Sequence, residues 1–203
     1  MNTDQLLSKL AHTNEDPSFK NPMMPWFRKM VHTSQKTMDR AKKAAVLAHL
    51  FEGSQGLELL FMKRPIYDGT HGGQISFPGG RRESSDTSFE QTALRETFEE
   101  VGIPEQSVKV IRNLDPLYIP PSNFIVHPYI GYSGELPKLV IDTNEVAYTF
   151  SIPLQVLKSG ELIGKATVPT KYGKVKVPAY LWGEEVIWGA TAIITARIVG
   201  LLS

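Results

Sequence analysis

Residues 73–103 read GQISFPGGRRESSDTSFEQTALRETFEEVGI and join a short apolar segment, a pair of glycines and a helix-like segment. We predict a helix from Thr87 to Val101, because Thr87 can cap its first turn and Glu90 follows three residues later. Gly102 suits the left-handed residue that ends a helix, and a proline stands two residues beyond it. We therefore expect a strand, a glycine turn and this helix in succession.

The predicted helix carries one apolar stripe. Leu94, Phe98 and Val101 recur at helical spacing, so we expect all three to be buried against a sheet. Elsewhere we predict strands at residues 44–51, 57–63, 73–78, 108–114, 124–132 and 145–150, a hairpin at 167–181 turning at KYGK, and helices at 4–11, 154–157 and 190–202. Because the strands are grouped, the pattern favours an α+β fold with a mixed β-sheet sandwiched between helices.

Three glutamates of the helix lie close together in sequence. The spacing of Glu96, Glu99 and Glu100 predicts that they share the face opposite the apolar stripe. Like charges at such spacings destabilise a helix by roughly 0.2–0.5 kcal/mol per pair, and Arg95 offsets only part of this repulsion. Mg²⁺ prefers oxygen ligands and shares them with phosphate groups, so the triple favours a metal site for a phosphate ester or anhydride. A solvated acidic surface is the alternative interpretation.

The glycine pair favours the metal site. Gly79 and Gly80 permit close backbone approach just before the helix, where a carbonyl can add an oxygen ligand. With residues 95–103 reading RETFEEVGI, the arrangement resembles the Nudix box, the hallmark of the Nudix hydrolases. Thr97 stands where that motif has an aliphatic residue. The spacing before the arginine is one residue longer, and Asp86 is the acid nearest to the expected middle glutamate.

The longer box and residues 73–80, GQISFPGG, resemble the coenzyme A pyrophosphatase branch of that family. The branch also has an upstream signature, to which Arg64 corresponds at the right distance from the glycines. Met62, Pro65 and Gly69 depart from this signature, and Gly69 stands where the branch has an arginine. The resemblance implies that coenzyme A or a derivative is cut at its pyrophosphate.

The resemblance also implies roles for individual residues. Water attacks phosphorus while Mg²⁺ or Mn²⁺ ions hold the attacking and leaving oxygens. By matched position, the catalytic residues are Arg95, Glu96, Glu99 and Glu100, the metal-binding residues are Glu96, Glu99, Glu100 and Gly80, and the substrate-binding residues are Arg64, Gln74 and Gly79. Among these, Arg95 would pair with a box glutamate to hold the acidic face in register.

A general base must lie within hydrogen-bond reach of the attacking water. A box glutamate or a later acid can take this role, and Glu145 and Asp142 in IDTNEVAYTF are the later candidates. A surface charge at the end of a strand is the alternative interpretation of Glu145.

Two basic segments are candidates for phosphate binding. Arg81 and Arg82 follow the glycines directly and either bind a substrate phosphate or are solvated. The predicted hairpin either attracts a phosphorylated ligand or protects a sheet edge. Its lysines are Lys165, Lys171, Lys174 and Lys176.

Composition bounds the function classes. The 203 residues carry a net charge of +1, so no global field recruits nucleic acid or a membrane. The absence of cysteine excludes disulfides and thiolate metal sites, and a cytosolic location is expected. We predict an N-terminal helical or extended appendage over residues 1–40 and a Nudix hydrolase domain over residues 41–203, which includes the C-terminal hairpin and helix. The partner is a small nucleotide substrate, with a homodimer as an open alternative.

Three functions remain open on these residues. The first is a metal-dependent Nudix pyrophosphatase, acting on coenzyme A or, alternatively, on ADP-ribose or a nucleotide sugar. The second is a non-catalytic Nudix-fold sensor of a nucleotide. The third is an acidic helix without metal. Sensors of this kind commonly lose box glutamates, and all three are present here, which favours the enzyme.

Overall fold

The computed structural model describes residues 2–26, 38–66, 72–170 and 173–202. Gly69 and Lys171, which the sequence singled out, lie outside these ranges. The helices are α1 (Thr3–His12), α2 (Phe89–Val101), α3 (Leu154–Ser159) and α4 (Gly189–Gly200), with a 3-10 turn at Glu105–Ser107. The strands are β1 (Lys42–Gly53), β2 (Gly56–Lys63), β3 (Ile75–Ser76), β4 (Gly79–Arg81), β5 (Lys109–Asn113), β6 (Leu117–Ile119), β7 (Phe124–Ser133), β8 (Tyr148–Pro153), β9 (Ile163–Thr170), β10 (Gly173–Trp182) and β11 (Glu185–Trp188).

Strands β1 to β8 form one mixed sheet. Its central order is β3-β2-β1-β7-β5, while β4 pairs with β1, β6 with β7 and β8 with β2. The β1 and β7 strands are parallel over their full register, and the other pairs are antiparallel. The remaining strands form a separate antiparallel sheet in the order β11-β10-β9. The predicted α+β fold with a mixed sheet is therefore confirmed.

Both faces of β1 are covered because its residues are apolar at successive positions. Ala45 and Leu47 pack with Ala93 of α2 on one face. Ala48 and Leu50 belong to the main core together with residues of α4 on the other. This burial of a central strand on both sides explains the continuous apolar run of β1 and places α2 and α4 in opposite layers.

The predicted strand at residues 73–78 is wrong as a single element. The chain forms β3, leaves the sheet at Pro78, which has no N–H to donate, and re-enters as β4 beside β1. Gly79 has a φ of 149° at this point, a conformation open to glycine. Strand β6 was not predicted, and the predicted hairpin extends to a third strand, β11.

The N-terminal segment packs onto the rest of the fold. Leu10 and Met23 are fully buried in the main core. Arg197 of α4 forms a hydrogen-bonded ion pair with Glu15. Residues 2–26 thus contribute apolar surface to the core, while the boundary at residue 40 stays a prediction.

The N-cap of helix α2 lies one residue later than predicted. Ser88, not Thr87, accepts the hydrogen bond from the Gln91 N–H, at 3.1 Å. Thr87 instead donates its N–H and its hydroxyl to the Gln91 side chain. Gly102 ends the helix in the left-handed region with a φ of 76°, as predicted.

The predicted apolar stripe of α2 is only partly correct. Val101 is buried and Leu94 is partly buried, but Phe98 is 52% exposed. The buried residues of the helix are Thr92, Ala93, Thr97, Glu100 and Val101. Polar residues enter this face because they find partners there, as the Thr97 hydroxyl does at 2.7 Å from the Ala93 carbonyl.

None of the helices in the described part of the chain is long and apolar enough to span a membrane.

Candidate active site

Arg95 is the centre of an ion-pair network at the exposed edge of α2. Its Nε lies 2.9 Å from Asp86 Oδ1, and its Nη2 lies 2.9 Å from Glu96 Oε1. Its Nη1 lies 2.8 Å from Glu99 Oε2, and Nη2 also donates to the Arg81 carbonyl at 3.2 Å. The predicted pairing of Arg95 with box glutamates is therefore present in the structure.

Asp86 is the partner that the sequence did not assign to Arg95. Its carboxylate is buried and also accepts the Thr92 hydroxyl and the Glu83 N–H, each at 2.9 Å. The hydrogen bonds from Arg95 hold the pKa of Asp86 well below its usual range, and those contacts raise the pKa of Arg95 in turn. Asp86 thus holds the side chain of Arg95 in place. This role follows from the burial and contacts of Asp86 and could not be inferred from its position in the sequence.

Glu100 occupies a different environment on the sheet side of α2. The residue is only 2% exposed and is buried with Val101, so the prediction that it lies on the face opposite the apolar stripe is wrong. Its Oε2 accepts the Gly79 N–H at 2.7 Å, and its Oε1 accepts Arg64 Nη2 at 3.2 Å. Burial raises the pKa of Glu100 to about 8, because desolvation outweighs the stabilisation by Arg64 and Gly79.

The glycine pair lets two carboxylates approach the backbone. A Cβ on Gly79 would lie 2.3 Å from the Ala45 carbonyl oxygen, so any side chain there would clash with β1. A Cβ on Gly80 would lie 2.4 Å from Glu96 Oε2. Gly80 therefore leaves the space that Glu96 occupies, and Gly79 lets β4 pack closely on β1 while its N–H reaches Glu100. The carbonyl ligand at Gly80 stays a prediction.

Arg64 and Glu145 complete the cluster around Glu100. Arg64 Nη1 lies 3.8 Å from Glu145 Oε2, and Nη2 reaches the Gly79 carbonyl at 3.4 Å. The Arg64 N–H donates to the Gln74 carbonyl at 3.0 Å, which ties the upstream signature to the GQISFPGG segment. The predicted substrate-binding residues therefore lie together.

Of the two later acids, Glu145 faces the carboxylate cluster. Its charge contributes to raising the pKa of Glu96 and of Glu100, after the larger effect of burial in each case. Asp142 instead accepts the N–H and side-chain amide of Asn144 within its own loop. The structure thus brings Glu145 near the predicted site and turns Asp142 away from it.

The carboxylate oxygens of this cluster are ligands of the type that a hard divalent cation prefers. Burial raises the pKa of Glu96 and of Glu100 and the charge of Glu145 raises both further, while Arg95 beside Glu96 and Arg64 beside Glu100 offset only part of this effect. As they stand, no three His, Asp or Glu side chains in the described ranges are grouped to hold an ion. The reason is that Glu96 and Glu99 turn toward Arg95 and Glu100 toward Arg64. The residues fit a metal after these carboxylates turn from their arginines.

Comparison with known proteins gives one family over most of the sheet and α2. A family model described as NUDIX domain matches residues 41–167. Nudix hydrolase 3 of Caenorhabditis elegans is 32% identical over 166 residues, which cover 71% of this chain and 67% of that protein. The human protein named mitochondrial coenzyme A diphosphatase NUDT8 is 33% identical over 168 residues, covering 81% of this chain and 71% of that one.

A solved structure supports the fold independently. The MutT/nudix family protein from Enterococcus faecalis superposes with a TM-score of 0.53 at 13% identity. The match covers 98% of this chain and 73% of that one. The resemblance read from the box and its flanking residues is thereby confirmed at the level of family and fold.

Proposed function

We propose that this chain, which belongs to the NUDIX domain family and is a Nudix hydrolase, cleaves the pyrophosphate of coenzyme A or a derivative. The products would be 4′-phosphopantetheine and adenosine 3′,5′-bisphosphate. A similar protein bears the name coenzyme A diphosphatase, at 33% identity. The observation that carries the proposal is the position of Arg64, the matched residue of the upstream signature.

Arg64 lies where it can serve both the carboxylates and a substrate. Its guanidinium contacts Glu100, Glu145 and the Gly79 carbonyl, and its side chain remains 21% exposed. A guanidinium binds phosphate oxygens with charge-assisted hydrogen bonds. With Glu100 as a metal ligand, Arg64 would be free to bind a phosphate of the substrate.

The other residues divide into those that hold the site and those that face the reaction. Arg95 and Asp86 fix the helix end through buried contacts. Glu96, Glu99 and Glu100 are proposed to hold Mg²⁺ or Mn²⁺, which would polarise the phosphoryl oxygens and activate water. Glu145, which is 55% exposed at its side chain, is proposed to accept a proton from the attacking water.

The test is a side-by-side measurement of kcat/KM with Mg²⁺ or Mn²⁺ for coenzyme A, dephospho-coenzyme A, ADP-ribose and NADH. We expect coenzyme A to be hydrolysed, with a high KM because Gly69 replaces an arginine of the branch signature. One missing charge-assisted contact corresponds to about one to two decades in affinity. A Gly69→Arg variant is then expected to lower the KM.

Other outcomes of this measurement identify the rival functions. Efficient cleavage of ADP-ribose with no cleavage of either coenzyme would reject the proposal and favour the nucleotide-sugar substrates. Binding of a nucleotide without turnover of any substrate would favour the sensor. A cytosolic location and a homodimer stay predictions of the sequence.

A further inference from the structure

A basic cavity lies beside the carboxylate cluster and has no part in the function described so far. Its volume is about 450 Å³, and it lies where β1 begins and β4 ends. Lys42 and Lys43 line one side, and Arg81 and Arg82 line the other. Glu83 is the acidic residue of its lining, so the cavity carries a clear excess of positive charge.

These four cations are not neutralised by neighbouring acids. Within the described residues, none of the four forms an ion pair with a carboxylate. Asp86, the buried acid of the adjoining turn, is engaged by Arg95 at 2.9 Å. The positive charge of the cavity is therefore available to a ligand.

Arg82 is held in place before any ligand arrives. Its Nη2 donates to the Asp86 carbonyl at 2.9 Å. Its guanidinium lies 4.9 Å from the centre of the Phe89 ring, and that ring stacks on His127 with a 3.7 Å centroid separation. A cation fixed in this way loses little freedom when it binds an anion, which favours affinity.

The same cations also act on His127. Burial lowers the pKa of His127 first, and the charges of Lys43 and Arg82 lower it further. The charges that oppose protonation of His127 would also attract an anion to the neighbouring cavity.

The cavity is also close to the predicted reaction centre. Arg81 follows Gly80 directly, and Gly80 lies against the Glu96 carboxylate. Consecutive Cα atoms are about 3.8 Å apart, so the arginines of the cavity lie within a nucleotide's reach of the carboxylate cluster. One extended ligand would therefore be able to contact both the carboxylate cluster and the cavity.

We propose that this cavity binds a phosphate monoester that the substrate carries in addition to its pyrophosphate, through Lys43, Arg81 and Arg82. This inference rests on the proposed function, in which the group is the ribose 3′-phosphate of coenzyme A. A phosphate dianion matches the cavity because several donors can contact its oxygens at once, whereas the uncharged ribose of a nucleotide sugar would leave the cations without a partner.

The first experiment measures binding without catalysis. Isothermal titration calorimetry compares adenosine 3′,5′-bisphosphate with adenosine 5′-monophosphate on the wild type and on the Lys43→Gln/Arg81→Gln variant. The wild type is expected to bind the bisphosphate about tenfold or more tightly than the monophosphate, and the variant is expected to lose this ratio.

A matched control removes the same charge elsewhere. Lys109→Gln/Lys158→Gln alters two exposed lysines that lie outside both basic segments of the chain. We expect this control to keep the wild-type ratio. An equal loss in both double variants, or a wild-type ratio near one, would overturn the cavity as a phosphate site.

The second experiment separates this inference from the proposed function. The ratio of kcat/KM for coenzyme A to that for dephospho-coenzyme A is expected to fall about tenfold in Lys43→Gln/Arg81→Gln and to stay unchanged in the control. If the wild type hydrolyses no coenzyme A yet binds the bisphosphate preferentially through these residues, the phosphate site stands and the proposed function fails. If coenzyme A is hydrolysed with an unchanged ratio in the variant, the function stands and the cavity proposal fails.

Discussion

Two arginines at helix α2 each contact a buried carboxyl group: Arg95 contacts Asp86, and Arg64 contacts Glu100. The pKa values of these two carboxyl groups shift in opposite directions. Arg95 lowers the pKa of Asp86, while the pKa of Glu100 rises to about 8 despite its contact with Arg64. Asp86 accepts hydrogen bonds from Arg95, Thr92 and the backbone, so its charge is stabilised from several sides. Glu100 has fewer donors, and two neighbouring glutamates oppose its charge.

The difference separates a contact that holds the fold from one that awaits a ligand. An ionised carboxylate that already accepts several hydrogen bonds gains little free energy from a further ligand. A carboxyl group that burial keeps protonated can instead bind a cation, because the cation displaces the proton. The Arg95–Asp86 pair should therefore govern stability, and the Arg64–Glu100 pair should govern activity.

Removing Arg95 should produce the largest change in stability. Arg95→Ala leaves the buried charge of Asp86 without its partner, which costs about 3–5 kcal/mol of unfolding free energy. Arg64→Ala should cost only about 1 kcal/mol, because Glu100 can remain protonated at pH 7. Urea unfolding at pH 7 with EDTA measures both. Equal losses would erase the distinction between the two pairs.

Changing Glu100 should affect catalysis most. Glu100→Gln removes a proposed metal ligand, and we expect kcat/KM to fall about 10²- to 10³-fold, or roughly 3–4 kcal/mol in transition-state stabilisation. Initial rates under saturating Mg²⁺ measure the loss. Glu105→Gln, in the exposed 3-10 turn after the helix, is the control and should keep full activity. Full turnover by Glu100→Gln would remove this residue from the mechanism.

The pH dependence of stability should differ between the two carboxylates. The pKa of Glu100 is raised in the folded state, so its stabilising effect is complete below about pH 4.5 and is lost as the pH rises toward 8. We expect the metal-free protein to lose about 3–4 kcal/mol between pH 5 and pH 8, and Glu100→Gln to flatten this slope. Asp86 has a lowered pKa, so its contribution is present above its ordinary pKa and lost in stronger acid. Unfolding midpoints measured across this range in EDTA decide whether Glu100→Gln removes the slope.

The smallest expected effect concerns the outward face of α2. Phe98→Ala should cost less than about 1 kcal/mol because the ring is 52% exposed, whereas Val101→Ala should cost about 2 kcal/mol. Thermal unfolding of the two variants gives the comparison. A large loss from Phe98→Ala would restore the orientation that the spacing first suggested.

Much of this site could be predicted from the sequence because its chemistry depends on spacing. The box residues, the glycine pair and the matched Arg64 are brought together by a strand, a turn and one helix. The orientation of α2 could not be predicted in this way. Spacing favours Phe98 as a core residue, but Glu100 finds hydrogen-bond partners at Gly79 and Arg64, and the face that carries Glu100 lies inward instead.

The partner of Arg95 and the basic cavity depend on contacts between distant elements. Asp86 belongs to a turn, and its carboxylate is buried because α2 packs beside β4. Lys43 and Arg81 are brought together by the antiparallel pairing of β1 with β4, which no local pattern indicates. The sequence alone thus identified the chemistry of single segments better than the surfaces that segments form together.

The central claim is that Glu100 stays protonated in its buried site until a divalent cation replaces the proton. Calorimetric titration of Mn²⁺ at pH 7, in two buffers with different protonation enthalpies, measures the protons released per ion. With a pKa of about 8, the wild type should release close to about one proton, and Glu100→Gln should release almost none. Glu105→Gln, which alters an exposed carboxylate after the helix, should still release it. Binding without proton release in the wild type, or release unchanged in Glu100→Gln, would contradict the claim.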